Sequence, residues 1–399
     1  LQEVLLIMSK ELEQAELLFK QFKHKEAYPL FEKLADAGEA RAMYFMGIYS
    51  RLYLGVGHFD QEKSYNWFKK GMEAGDVLCA ISYGYLLPKE KRDAFMKEWL
   101  PKAEKLAEAG DVFALDDTAD CYFYGIGTKA DEEKGLANID KAAEAGYWLA
   151  QFDQAAQYDE GGHRDVDFKK ACEGFRAVSK LGYTEGDYRL AFHFFQGTGE
   201  ERDVKEAIRL WVKAWDMSEN AAAANALGFI YSFDEKLKDE EKAFSWFEKS
   251  AKAGLPLAAG NVGNCYFYGR GVKKDLEKAK HWYEIGAKAG LQSSMLQLGV
   301  ILKTQNKNKE AFQVFYAAAI GGYAPAMGWL AACYEHGIGV EKDQGKVLFW
   351  LKRAAAMGDR DAIQTLQKYY PKQTLVKTND KLDEDLPKEF VETTPGTIN

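Results

Sequence analysis

The sequence predicts an all-α repeat protein built as a solenoid of about ten helical hairpins. Three observations lead to this prediction. First, a helix-ending glycine turn returns about every 36 residues along most of the 399-residue chain. Second, the composition combines 47% apolar residues with only 8 prolines against 36 glycines, which is typical of folded helices separated by short glycine turns. Third, apolar residues recur between these turns at spacings of three and four, the periodicity of helices with one buried face.

The recurring turn is a glycine that follows a helical segment, most often as Ala-x-Ala-Gly. The step from Gly182 to Gly254 equals two periods, and Ser218 takes the intermediate position. Because one repeat cannot bury its apolar face alone, we expect neighbouring repeats to stack along the chain. The glycines of these turns are Gly38, Gly75, Gly110, Gly146, Gly182, Gly254, Gly290, Gly322 and Gly358.

The clearest repeat covers residues 257–290 and predicts a hairpin of two helices. Gly263 is small enough to let a neighbouring helix approach, and Tyr266 supplies a large complementary side chain. Gly269 and Gly271 are expected to end the first helix, since glycine reaches a positive φ without a steric penalty. Similar double-glycine loops occur at Gly55 and Gly57, Gly125 and Gly127, Gly197 and Gly199, and Gly337 and Gly339.

This repeat resembles a known pattern. Residues 262–275 read Val-Gly-Asn-Cys-Tyr-Phe-Tyr-Gly-Arg-Gly-Val-Lys-Lys-Asp, similar to the Leu-Gly-x-x-Tyr-x-x-Gly-x-Gly-Val pattern of the Sel1-like repeat family, a relative of the tetratricopeptide repeat. The resemblance covers roughly residues 25–370. It implies a right-handed α/α superhelix that serves as an adaptor or binding scaffold. The resemblance also implies a second role, because some members in bacterial secretion systems are immunity proteins that sequester a toxin. The cysteine pair that some relatives carry in each repeat is absent from this chain.

The two ends depart from the repeat and predict four segments. Residues 1–24 are expected to form an N-terminal capping helix, and residues 25–358 the solenoid. Residues 359–372 are expected to form a C-terminal capping helix with charged residues that face water. Residues 373–399 contain Pro387, Pro395 and a charged run, so they are expected to form a flexible or docked tail.

The motifs that carry chemistry are absent or have a structural interpretation. The Gly-x-Gly loops lack both a preceding strand and a following Gly-Lys-Ser/Thr, so they are interpreted as turns and not as phosphate-binding loops. Six histidines are dispersed without an HExxH motif, and five cysteines occur without a CxxC pair. Asp116, Asp117 and Asp120 share a helix face and could act as a catalytic acid and base, but an acidic face is more often solvated or bound to a basic partner. The sequence therefore predicts that the chain is not an enzyme and binds no cofactor or metal.

The charge pattern indicates the kind of partner. Residues 111–160 hold twelve acidic residues against three lysines, a net charge of −9, while the whole chain has −8. Phosphates would be repelled by this segment, so nucleic acid is not expected as a partner. A protein or peptide with a basic segment fits better. The alternative is an ordinary acidic surface without a partner.

The related tetratricopeptide fold implies which side chains line the concave groove. Aromatic rings with acidic residues among them are expected there, because such rings supply large contact area at small entropic cost. The alternative is that curvature buries the rings in the core. The predicted partner-binding residues are Tyr44, Tyr85, Asp116, Asp120, Phe123, Phe152, Asp159, Tyr188, Phe192, Phe195, Phe229, Asn264 and Phe267.

The function that follows is a non-catalytic adaptor that binds a protein or peptide. Two alternatives stay open, an immunity or inhibitor protein that sequesters a toxin or effector, and an enzyme. The uncharged stretch 311–334 is interrupted by Gly321, Gly322 and Pro325, so it predicts a buried hairpin and not a membrane span. The expected location is the cytoplasm, or the periplasm or exterior if an export signal is removed before Leu1.

Overall fold

The computed structural model describes residues 2–52, 54 and 60–371, with side chains from residue 9 onward. Within these ranges every regular element is helical. The chain divides into two compact units, residues 1–223 and residues 224–399. The predicted tail, residues 373–399, and the Gly55 and Gly57 loop lie outside the described residues.

The first unit contains twelve complete helices in its described part, arranged as successive antiparallel pairs. They are α1 Gln2–Lys20, α2 His24–Asp36, α3 Ala40–Arg51, α4 Gln61–Glu73, α5 Val77–Leu86, α6 Lys89–Glu108, α7 Val112–Tyr124, α8 Glu132–Glu144, α9 Trp148–Glu160, α10 Phe168–Leu181, α11 Thr184–Gln196 and α12 Val204–Ser218.

The second unit continues the same arrangement, and the boundary between the units falls in the first turn of α13. The described chain therefore forms ten hairpins and one further helix, which confirms the predicted all-α class and hairpin architecture. The helices are α13 Ala221–Phe233, α14 Glu240–Lys252, α15 Pro256–Tyr268, α16 Leu276–Lys288, α17 Gln292–Thr304, α18 Asn308–Ile320, α19 Ala324–His336, α20 Gln344–Ala356 and α21 Arg360–Tyr369.

Aspartate residues begin the second helix of many hairpins. The carboxylate of each accepts a hydrogen bond from a backbone N–H in the first turn, which satisfies a donor that has no partner within the helix. Five of these aspartates follow one another at intervals of 36 residues: Asp131, Asp167, Asp203, Asp239 and Asp275.

The double-glycine loop ends the first helix as predicted. Gly269 follows α15 with φ of 74°, and Gly271 has φ of 66°. A Cβ atom on Gly271 would overlap the backbone carbonyl of Glu240, so the loop lies directly against the start of α14. Glycine is needed here for both its backbone conformation and its lack of a side chain.

Four hairpins are closed by a glycine on the first helix that faces an aromatic ring on the second. A Cβ atom on Gly263 would lie 2.6 Å from a ring carbon of Tyr283 on the second helix of the hairpin. The predicted close approach at Gly263 is confirmed, and the ring that fills it is Tyr283. Tyr266 packs against Phe244 of the preceding hairpin, with 5.3 Å between ring centroids. Equivalent pairs are Gly47 with Phe68, Gly228 with Phe247 and Gly299 with Phe315.

The uncharged stretch 311–334 covers most of two consecutive helices, α18 and α19, which are joined by the turn at Gly321 and Gly322. Two helices meet there as predicted, although they belong to successive hairpins. In the described part of the chain, no helix combines the length and the apolar character needed to cross a membrane.

Substitution of two glycines by alanine tests the packing. Gly263→Ala should lower the free energy of unfolding by about 1 to 3 kcal/mol, because the new methyl group overlaps the Tyr283 ring. Gly328 is the matched control: it lies inside α19, and a Cβ atom there meets nothing within 4 Å. Gly328→Ala should raise stability by up to about 1 kcal/mol through helix propensity. Thermal denaturation followed by circular dichroism measures both, and equal effects would contradict the packing.

Candidate functional site

A cavity of about 660 Å³ lies within the first unit. The first helices of four successive hairpins supply its walls, with Tyr44 from α3, Tyr85 from α5, Phe123 from α7 and Phe152 from α9. Tyr183, immediately before α11, completes the aromatic lining. We call this cavity the acidic groove, because carboxylates line its floor.

Long-range contacts close the first unit around the acidic groove. The Trp148 indole N–H donates a hydrogen bond of 3.0 Å to the Phe19 carbonyl, which joins positions 129 residues apart. Phe22 packs edge-on against Trp148 at 5.0 Å between ring centroids and lies 6.0 Å from Tyr183. The turn between α1 and α2 thus contacts α9 and the turn before α11. The unit curves back on itself, and the first helices in between face the enclosed space.

Four aspartates line the acidic groove: Asp116, Asp117 and Asp120 from α7, and Asp153 from α9. Asp116 Oδ1 and Asp117 Oδ2 are buried and have no hydrogen-bond partner among the described residues. Arg51 is the guanidinium in the lining. The groove therefore holds more negative charge than its own arginine can neutralise.

The environment of the acidic groove raises the pKa values of these carboxyl groups. Removal from bulk water raises the pKa of Asp117 and that of Asp153 to about 7, although the positive charge of Arg51 lowers both. Desolvation also raises the pKa of Asp116 well above its ordinary value, and repulsion from Asp153 and Asp117 adds to this effect. Desolvation also raises the pKa of Asp120. Near neutral pH Asp117 and Asp153 are therefore partly protonated.

Water still reaches the groove. Asp116, Asp117 and Asp153 are half-buried, and Asp120 is exposed. Protein atoms surround these carboxylates on several sides while solvent enters from the open side, which is the geometry of a concave surface. A ligand could approach them by the same route.

The predicted aromatic residues of the first unit line the groove to different degrees. Tyr44 is buried at 2% exposure, and Phe123 is buried and stacks on His163 at 4.1 Å between ring centroids. The Tyr85 hydroxyl donates to the Asp117 carbonyl at 2.9 Å. Phe152 packs against Phe175 and Tyr183. These rings line the cavity and pack into the core at once, and their role in partner binding stays a prediction.

The predicted residues on and around α11 have partners within the repeat packing. Phe192 and Phe195 pack against Trp211 of α12, at 5.0 Å and 6.0 Å between ring centroids. Tyr188 packs edge-on against Phe192. Asp159 lies 3.6 Å from an Arg189 nitrogen and 3.4 Å from a His193 nitrogen. Their predicted role in partner binding stays a prediction.

The second unit contains a smaller cavity of about 350 Å³. Phe229 and Asn264, both predicted, line it, and Asn264 accepts a hydrogen bond of 2.7 Å from the Tyr283 hydroxyl. Phe267 packs against Tyr268 and Tyr283 nearby. Phe233, which the sequence analysis missed, also lines the cavity; it is 68% exposed and stacks on Phe229 at 5.9 Å.

The acidic segment 111–160 is split among three structural roles. Asp111 and Asp131 cap helices α7 and α8, and Asp111 also pairs with Arg41 at 2.7 Å. Asp140 and Asp159 form ion pairs with arginines. The four aspartates of the acidic groove are a third set, and the remaining acidic residues are Glu132, Glu133, Glu144 and Glu160. Among the described residues, no group of three or more His, Cys, Asp or Glu has the arrangement of a metal site.

A simple sequence signal could have found the missed groove residue Asp153. Asp117, Asp153, Arg189, Asn225 and Asn261 are each 36 residues apart, so they occupy one position in five consecutive repeats. In the second unit the last two of these residues are hydrogen-bonded to each other at 2.9 Å. Arg51 carried no comparable signal, because it lies at the end of α3 outside this register.

The family model of the Sel1 repeat matches residues 40–76, 113–147, 184–217, 221–255, 256–291 and 324–359. These six matches cover more than half of the chain. The chain therefore belongs to the Sel1 repeat family, as its resemblance implied. Sel1 repeat proteins generally mediate protein–protein interactions, and the family is typically non-catalytic.

The chain is similar to several solved structures. A protective antigen present in uropathogenic Escherichia coli strains, which displays an SLR fold, is 25% identical with a TM-score of 0.57; the match covers 92% of this chain and 81% of the antigen. A Sel1 repeat protein from Oxalobacter formigenes is 23% identical with a TM-score of 0.52, over 65% of this chain and 99% of that protein. An immunity protein from Pseudomonas aeruginosa matches at 18% identity with a TM-score of 0.34, over 68% of this chain and 88% of that protein.

The pH dependence of stability tests the environment of Asp153. Its folded pKa of about 7 is above the ordinary value, so the folded state binds more protons than the unfolded state between about pH 4 and 7. The stability contributed by the protonated group is therefore present at low pH and lost as the pH rises through about 7. Asp153→Asn should stabilise the protein at pH 7.5 by about 1 to 2 kcal/mol, after allowance for solvent screening, and should change little at pH 4.5.

Urea denaturation followed by tryptophan fluorescence measures this difference at the two pH values. Glu144→Gln is the control with the same change of charge, because Glu144 is exposed at the end of α8. It should leave stability unchanged at both pH values. A destabilised Asp153→Asn variant at pH 7.5 would show that the Asp153 carboxylate is favourably bound in its ionised form.

Proposed function

We propose that this chain is a non-catalytic interaction scaffold that binds a protein or peptide partner through its acidic groove and through the smaller cavity of the second unit. One observation carries the proposal. First helices of successive hairpins place three half-buried carboxylates, one exposed carboxylate and aromatic walls together in a water-accessible cavity of about 660 Å³. Cavities of this size that combine apolar walls with a few polar groups are typical binding sites.

Charge supports a partner with a basic segment. The acidic groove is lined by four aspartates and Glu160. Its basic lining residues are Arg51 and His163. Complementary charge steers association and is screened by salt. Aromatic walls add contact area for apolar parts of the partner.

Apolar contact supports a contribution from the second unit. Phe233 and Phe229 present stacked rings at the smaller cavity, with exposures of 68% and 39%. Aromatic residues, phenylalanine among them, are enriched in protein–protein interfaces. The kind of partner decides between two functions. If the partner is an enzyme or a toxin, the chain acts as an inhibitor; if the partner is a component of an assembly, the chain acts as an adaptor.

Affinity capture from the native cell tests the charge contribution. Asp120→Asn removes an exposed carboxylate from the acidic groove, so the yield of captured partner should fall at least threefold, and capture by the wild type should weaken as salt rises. Glu144→Gln makes the same change of charge outside the groove and should capture as well as the wild type. Equal capture by both variants and independence from salt would remove the acidic groove from the proposal.

A second pair of variants tests the apolar contribution. Phe233→Ala should reduce capture at least threefold while it changes the free energy of unfolding by no more than about 0.5 kcal/mol, because the ring is mostly exposed. Tyr369→Ala is the matched control, since Tyr369 is 65% exposed on α21 and belongs to neither cavity lining. If Phe233→Ala captures as much partner as Tyr369→Ala, the smaller cavity is not a contact site.

A further inference from the structure

The two units carry net charges of opposite sign. The described part of the second unit, residues 224–371, holds twenty lysine and arginine residues against fifteen aspartate and glutamate residues, a net charge of +5. Residues 1–223 hold 29 against 40, a net charge of −11. Because surfaces of opposite charge attract oppositely charged partners, the smaller cavity of the second unit is expected to differ from the acidic groove in what it binds.

Two phenylalanine rings form an open apolar wall of the smaller cavity. Phe233 and Phe229 line it, and most of the Phe233 ring is exposed to water. Phe229 stacks on Phe233 and is held from behind by an edge-on contact with Phe247 of α14, at 5.4 Å between ring centroids. The wall is therefore ordered before a ligand arrives, so an apolar side chain can pack on it at small entropic cost.

Arg270 adds an uncompensated positive charge to the same cavity. It is exposed, and its guanidinium carbon lies 4.9 Å from the centroid of the Tyr268 ring, a contact that leaves the N–H donors free. Among the residues that the structure describes, its side chain has no ion pair and no hydrogen bond. Glu240 also lines the cavity, but its carboxylate lies 3.9 Å from the Lys238 ammonium. The guanidinium of Arg270 therefore remains available to an anionic group.

Two asparagines of α15 offer the cavity one hydrogen-bond donor and one acceptor. Asn264 Oδ1 accepts a hydrogen bond of 2.7 Å from the Tyr283 hydroxyl, which leaves Asn264 Nδ2 as a free donor. Asn261 Nδ2 donates to Asn225 Oδ1 at 2.9 Å, which leaves Asn261 Oδ1 as a free acceptor. Neither free atom is buried. An extended peptide presents C=O and N–H groups side by side, so this pair is suited to a main chain.

We propose that the smaller cavity binds an extended acidic segment of the partner protein. A carboxylate of the segment pairs with Arg270, an apolar side chain beside it packs on Phe233, and the main chain bonds to the two asparagines. This inference rests on the proposed function, because the segment belongs to the protein that the scaffold binds. A carboxylate matches the planar fork of a guanidinium. Nucleic acid is disfavoured, because phosphate backbones are bound by rows of cations, whereas this lining holds one unpaired cation and Glu240.

Three end-blocked hexapeptides test the site without knowledge of the partner. The acidic probe is N-acetyl-Gly-Leu-Asp-Asp-Leu-Gly amide; a second probe has asparagine in place of each aspartate, and a third has serine in place of each leucine. Binding to the full chain is measured by ligand-observed NMR near neutral pH and at low salt. The acidic probe should bind saturably, and each of the other two about threefold or more weakly, because charge and apolar contact both contribute. Added salt should weaken the acidic probe and leave the asparagine probe unchanged.

Substitutions locate the site. Arg270→Gln should weaken the acidic probe about threefold or more and leave the asparagine probe unchanged. Arg360→Gln is the matched control, because Arg360 is exposed at the start of α21 and lies outside the cavity lining. Asn264→Asp keeps an acceptor for the Tyr283 hydroxyl but replaces the free donor with a carboxylate oxygen, so it should abolish binding of the acidic probe. A melting curve for each variant separates loss of the site from loss of the fold.

The outcomes distinguish this inference from the proposed function. No saturable binding of the acidic probe, equal binding by the acidic and asparagine probes, or equal losses in Arg270→Gln and Arg360→Gln would overturn the acidic segment. Tighter binding of a thymidine oligonucleotide that Arg270→Gln abolishes would overturn it too, and so would dimers of the chain that Arg270→Gln dissolves. If the probes fail while Phe233→Ala still reduces partner capture, the scaffold function stands and only the acidic segment is withdrawn.

Discussion

The close contact between a glycine on one helix and an aromatic ring on its partner is the interaction on which the rest of the structure depends. At Gly263 a single methyl group would meet the Tyr283 ring at 2.6 Å, and the Gly47, Gly228 and Gly299 positions are equally tight. Without a side chain at the glycine, the ring lies directly on the helix backbone and brings the two helices of a hairpin close together. Close-packed interiors tolerate little added volume, so this contact fixes the spacing of the two helices in these four hairpins, on which the neighbouring repeats stack.

The first unit is curved, and this curvature encloses the carboxylates of the acidic groove. The contacts of Phe19 and Phe22 with Trp148 and Tyr183 bring the first hairpin back against the fifth. The first helices in between then line one enclosed space, where protein replaces much of the water around the carboxylates. Desolvation follows from the curvature, and the raised pKa of Asp153, to about 7, follows from the desolvation.

Aspartate serves three physical purposes in this chain. At Asp131 it satisfies a backbone donor at the start of a helix, and at Asp159 it balances Arg189. At Asp116 it leaves a buried oxygen without a partner. The first two roles stabilise the fold, whereas the third costs stability and is expected of a binding site. Residue type and net charge are the same in all three, so only the surroundings of each carboxylate distinguish a structural residue from a candidate ligand.

Periodicity by itself determined the helical class, the hairpin unit and the glycine turns, because these depend on contacts within one repeat of about 36 residues. The confirmed turn at Gly269 and the close approach at Gly263 are of this kind. The resemblance carried by residues 262–275 also identified the family, and the concave-face offsets selected Tyr44, Tyr85, Asp116, Asp120, Phe123 and Phe152, which line one cavity. Tertiary structure decided the rest. Trp148 donates a hydrogen bond to the Phe19 carbonyl, and Asp153 and Arg51 enter the groove. These outcomes depend on how successive repeats curve, and curvature arises from contacts between residues more than a hundred positions apart, which no pattern within a single repeat encodes.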